Sequence, residues 1–176
     1  RDVTSESVED IDIIHVKQNI DYKLNPLVEE IFDKENKSAI AIIGEYGVGK
    51  THRLYYLRHL ARKNNVFNVL VDMTKETRFV ISYIMDQIIK NHKSYGSSNF
   101  FSNPQWLKDI KKLSKTVKSG YNPVEVGRVI VNALNANAPS VLLLHDLHNL
   151  KTQIDLDNFV RVLQEIIDHS DPGVLI

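Results

Sequence analysis

Residues 44–51 read Gly44-Glu45-Tyr46-Gly47-Val48-Gly49-Lys50-Thr51, and after this cluster of glycines the next is Gly96. The spacing fits G-x-x-x-x-G-K-[ST] at every fixed position. Glycines let a backbone turn back over an anion, aiming successive N–H groups inward where a Cβ would collide. A helix opening directly behind them adds the positive end of its dipole. Lys50 is then expected to reach the β and γ phosphates of a nucleotide, and the Thr51 hydroxyl to ligate Mg²⁺. The expected nucleotide-contacting run is Gly44, Glu45, Tyr46, Gly47, Val48, Gly49, Lys50, Thr51 and His52. The plain alternative is a glycine-rich strand-to-helix turn beside an ordinary surface lysine. Context argues against it, because an apolar strand ends at Ile43 and an amphipathic helix opens at Lys50.

A site of this kind also needs an acid at the tip of another strand to hold the cation. Many need a second acid to orient the attacking water. Val141-Leu142-Leu143-Leu144-His145-Asp146 supplies this, a buried apolar strand ending in a polar pair. Asp146 is therefore the expected metal ligand together with Thr51, and the expected catalytic partner of Lys50. Asp72, at the tip of another strand, and Glu45 could lend a further charge, although both also read as plain surface acids. His52 and His148 flank the site as polar packing residues.

The elements that must position these groups alternate between strand and helix. A short helix within 20–34, broken by Pro26, precedes a strand at Ser38–Ile43. Lys50–Lys63 is an amphipathic helix with Leu54, Leu57 and Ala61 on one face. Val66–Met73 is a second strand, followed by a helix over Glu76–Asn91 with Val80, Ile81, Ile84, Met85, Ile88 and Ile89 on its buried stripe. A loop is expected at 92–106 and a lysine-rich helix at Leu107–Lys118. Asn122-Pro123-Val124-Glu125 gives an N-cap, a first-position proline and a first-turn carboxylate, so 123–136 is helical. Val141–Leu144, a helix over Asp155–His169 and a last strand at Val174 complete the pass. Short strands alternating with helices predict an α/β class, three layers, with a parallel sheet covered on both faces.

Composition excludes little but excludes it cleanly. Lysine plus arginine equals aspartate plus glutamate at 22 each, so any polyanionic partner must be met by a local patch. There is no cysteine, which rules out disulfides and thiolate metal sites and fits a cytoplasmic setting. No apolar run approaches the ~20 residues of a membrane span. Lys108, Lys111, Lys112, Lys115 and Lys118 on one helix, with Phe100, Phe101 and Trp106 upstream, could meet nucleic acid. A solvated helix face is the favoured explanation, since Asp109 interrupts the stripe and the net charge is nil.

The stretches GEYGVGKTHRL and LLLHDLH together resemble those of the AAA+ and related signalling or initiator ATPases. That group includes archaeal origin-recognition ATPases and phage-defence ATP-binding proteins. The resemblance spans roughly residues 38–176 and implies a three-layer αβα P-loop NTPase fold with a parallel central sheet and a helical insertion near 92–121. It implies ATP (or ADP) and Mg²⁺ as cofactors, and base contacts ahead of the first strand, with Tyr22 a candidate. It also implies that the strand begun at Gly173–Ile176 lies between the metal-binding strand and the phosphate-loop strand. The family's trans-acting arginine, sensor residues and helical lid would lie beyond residue 176. Together with a start at Arg1 and a stop within a strand, this sets the expected organisation: a lead-in and helix at 1–37, then a nucleotide-binding domain at 38–176 that is part of a longer protein.

One departure from the family pattern matters. There the first acid after the strand holds the metal and the second drives water attack, whereas here His145 stands first and Asp146 second. Imidazole is a poor ligand for a hard, oxygen-seeking cation, and one carboxylate cannot do both jobs. The leading expectation is an Mg²⁺-dependent ATPase acting as a nucleotide-controlled switch on DNA or a protein assembly, with a homo-oligomer formed through parts beyond residue 176 as one expected form. The second is a nucleotide-binding scaffold whose hydrolysis is weak or lost through His145. A small-molecule phosphotransferase is a third, disfavoured because the 92–121 region offers lysines but no arginine for a lid.

Overall fold

The computed structural model describes residues 21–43, 45, 47–72, 80–95, 104–145 and 153–176. Expectations for Gly44, Tyr46, Asp146, His148 and the 96–103 part of the predicted loop lie outside these residues, as do the side chains of Tyr22 and Asp72. In chain order the elements are α1 (Asp21–Phe32), α2 (Lys50–Lys63), β1 (Phe67–Asp72), α3 (Val80–Tyr95), α4 (Gln105–Thr116), α5 (Pro123–Ala136), β2 (Ser140–His145), α6 (Gln153–His169) and β3 (Val174–Leu175). A 3-10 turn at Val117–Ser119 prolongs α4.

The three strands form a parallel sheet in the order β1-β2-β3. β1 and β2 run in register from Phe67 opposite Ser140 to Asp72 opposite His145, so both strands end at the same level. Beyond β3, Ser38 bridges in parallel to Leu175. The Ser38 and Ile40 N–H groups donate to the carbonyls of Val174 and Ile176 at 3.1 and 2.9 Å, and the Ile176 N–H donates to Ser38 at 3.0 Å. Thus β3 lies between β2 and the chain that leads into the glycine loop.

Of the expected strand Ser38–Ile43, Ser38 and Ile40 pair through the backbone with Val174–Ile176. Ile43 is left 90% exposed.

Strand side chains alternate between two cores, as period-two geometry requires. Phe67, Val69, Val71, Leu142 and Val174 join the buried faces of α3, α4, α5 and α6. Leu70, Val141, Leu143 and Leu175 join Val28 and Ile31 of α1 and Leu57 and Ala61 of α2. Helices therefore cover both faces of the sheet, which fixes the α/β class.

Local differences from the sequence reading have packing causes. Pro26 lies inside α1 and does not end it. Val28 and Ile31, just after it, are fully buried, and their packing holds a turn that the proline ring weakens. α3 runs to Tyr95, past the expected stop at Asn91. There His92 meets Trp106 edge-to-face with ring centroids 4.8 Å apart, tying the last turn of α3 to the start of α4. Burial, and then the Lys111 charge, hold the His92 imidazole below its ordinary range. α4, expected as an insertion, buries Leu107 and Ile110 in the same core as α3 and α5. Its Lys108, Lys112 and Lys115 stay exposed.

The start of α5 follows its sequence signal. The Asn122 side chain accepts from the Val124 N–H at 3.0 Å, with Pro123 in the first turn. Asn122→Ala removes that acceptor and is expected to lower stability by about 1 kcal/mol. Urea unfolding would show it as a lower midpoint with an unchanged slope.

Candidate functional site: the glycine loop and the tip of β2

Two chain segments far apart in sequence meet above the sheet, the turn into α2 and the end of β2. The turn depends on its glycines for conformation. Gly47 and Gly49 have φ values of 85° and 83°, in the left-handed region that a Cβ disfavours. Space is not the reason: an added Cβ at Gly47 would meet nothing within 4 Å, and at Gly49 only Arg53 Nη1 at 3.8 Å. Gly49 is also the N-cap of α2 and offers no side-chain cap, so the first turn begins directly at Lys50.

Lys50 folds back across the loop. Its Nζ donates to the main-chain carbonyl of Glu45 at 2.6 Å. From the next turn of the helix Arg53 Nη1 donates to the Val48 carbonyl at 3.1 Å, bracing the loop from behind. Two cations thus hold loop carbonyls.

The second segment arrives through β2. His145 is its last residue and is 8% exposed. Its Nε2 lies 2.9 Å from the Thr51 hydroxyl, joining the first turn of α2 to the strand tip across 94 residues. Asp72 ends β1 in register with His145, so its backbone stands at the same edge.

Of the residues expected to contact a nucleotide, Glu45, Gly47, Val48, Gly49, Lys50, Thr51 and His52 are described, and Gly47–His52 form a turn and helix start. Gly44, Tyr46 and the expected metal and catalytic residue Asp146 lie outside the described residues. The reading from sequence treated His145 as a lost acid. In the fold it has a definite partner, Thr51. Arg53 was missed altogether, and its one signal was a cation one turn after the loop lysine, within reach of the loop carbonyls.

Mg²⁺ is the cofactor that can be tested against this donor set. It takes oxygen ligands in near-octahedral geometry, and its usual protein anchors are a hydroxyl and carboxylates. Here the group that meets the Thr51 hydroxyl is an imidazole nitrogen. Among the described residues no cluster of three or more histidine, cysteine, aspartate or glutamate side chains is placed to hold a metal ion. A hydroxyl that donates its hydrogen to Nε2 keeps its lone pairs for a cation, and the carboxylate expected beside it, Asp146, lies outside the described residues. Among those residues, too, no helix is long and apolar enough to cross a membrane. Comparison with protein-family models, with curated proteins and with solved structures gives no match, so the functional reading rests on the residues and their geometry.

Proposed function

We propose that this chain is a P-loop nucleotide-binding module of the AAA+ or signalling-ATPase type, holding ATP or ADP on residues 44–52. The observation that carries this reading is the loop itself: left-handed Gly47 and Gly49 run straight into an uncapped helix start. Lys50 lies over it, and the β2 tip is joined to it through Thr51. Each part has a role with a polyphosphate. Loop amides and the α2 dipole receive phosphate oxygens. The Lys50 ammonium exchanges the Glu45 carbonyl for a charged phosphate partner, a stronger hydrogen bond.

Of the two roles such a module can take, the nucleotide-controlled scaffold is favoured over the fast ATPase. Hydrolysis needs a cation and an acid aimed at water, and the two-acid pattern that supplies both in that family has His145 at its first position here. The nucleotide then orders the loop and the β2 tip as a switch on DNA or on a protein assembly. Calorimetric titration with ATP and with ADP tests the binding reading, which fails if neither binds at millimolar concentration. Turnover measured with and without DNA tests the role. Slow turnover that His145→Asp raises supports the scaffold, and fast turnover by the unaltered chain overturns it.

A further inference from the structure

We infer that the lysine face of α4 is a docking surface for the phosphate backbone of a nucleic acid. It stands apart from the glycine loop and does not rest on the nucleotide reading. Lys108, Lys112 and Lys115 are exposed along α4, Lys111 is half-buried beside them, and Lys118 is exposed in the 3-10 turn that prolongs the helix. Residues three and four apart share one side of a helix, so Lys108, Lys111, Lys112 and Lys115 are neighbours of like charge, and each such pair weakens the helix. Among the described residues no carboxylate pairs with any of the five lysines. The repulsion is built into α4 and is not compensated within the described fold.

The acid in the stripe does not neutralise it. Asp109 accepts from the Gln105 side-chain amide at 2.7 Å and forms no ion pair among the described residues. Nor does the neutrality of the whole chain remove the charge. Residues 104–120 hold five lysines and one aspartate, a net +4, which leaves −4 on the remainder of a chain whose formal charge is zero. Positive charge is therefore concentrated on this segment.

The chemistry of the face selects its partner. Leu107 and Ile110 are buried in the core, and Trp106 and Leu113 pack against it, so α4 has no apolar side left to enter a bilayer. The lysine face carries no arginine or aromatic ring of the kind that anchors a protein partner. It offers ammonium point charges on flexible stems, which suit phosphates repeated along a strand and read no sequence. From Lys108 to Lys115 the row runs about 10 Å along the helix axis. That length meets several of the charges that a duplex carries every ~1.7 Å.

The test is fluorescence-anisotropy titration of a short labelled DNA duplex of mixed sequence with the full chain, without added nucleotide, over a series of salt concentrations. Engagement of about four of the lysines predicts a slope of log affinity against log salt of about −3 to −4. Affinity then falls about a hundredfold between roughly 50 and 200 mM salt. The triple variant Lys108→Gln, Lys112→Gln, Lys115→Gln is expected to make the slope shallower by about 2–3 and to weaken binding by about tenfold or more at low salt. Glutamine is close to lysine as a helix former, so an unchanged melting temperature is the control. Arginine at the same three positions keeps the charge and is expected to keep the slope. A slope that the glutamine variant does not change, or no binding of the duplex at low salt, overturns the inference. Anionic phospholipid vesicles or polyglutamate bound as tightly as the duplex, at equal charge concentration, would overturn nucleic acid as the occupant.

Discussion

Lys50→Ala is expected to weaken ATP binding by about ten- to a hundredfold. A hydrogen bond to a charged group contributes about 1.5–3 kcal/mol, and about 1.4 kcal/mol corresponds to a factor of ten. The effect lies toward the upper end if Lys50 is a principal cation on the phosphates. Arg53 does not replace it, because its guanidinium is engaged with the Val48 carbonyl behind the loop. The substitution leaves the fold in place. Lys50 is the first residue of α2, alanine is the best helix former, and the Glu45 contact that is lost is on the exposed surface. Calorimetric titration gives the affinity and a thermal melt gives the control. Equal affinities for the two proteins, with equal melting temperatures, would show that phosphate is not held by this loop.

How much of this was legible in the sequence varies with the physical cause at each position. The glycine loop was readable because its requirement is local: positive φ at Gly47 and Gly49 is a property of the turn itself. The Asn122 cap was readable for the same reason, since acceptor and donor are two residues apart. The α/β class followed from alternation of apolar strands with amphipathic helices. Other features depend on partners distant in sequence. Nothing local extends α3 to Tyr95, because Trp106 is what His92 meets there. The Thr51–His145 contact joins residues 94 apart and could be inferred only as a general convergence of loop and strand tip. Its consequence, an imidazole in place of a carboxylate, was visible as a substitution but not as a bond.

The same dependence on distant partners governs the largest expected loss of stability. Gly127 sits in the middle of α5, a position where glycine is a poor helix former, and it is buried against α6. A Cβ added there would overlap the Glu165 Cβ and lie 3.0 Å from the Val162 carbonyl oxygen. Neither obstacle is the end of a flexible side chain, so α6 must move as a unit. Gly127→Val is therefore expected to cost about 3 kcal/mol, the upper range for overpacking a close-packed interface. In Gly127→Ala the gain in helix propensity, about 1 kcal/mol, offsets part of a smaller overlap, so the cost is expected to fall to about 1–2 kcal/mol. For a chain of this size the valine variant should melt roughly 6–12 °C lower. A valine variant as stable as the unaltered chain would mean that the α5–α6 contact is not the close approach argued from Gly127.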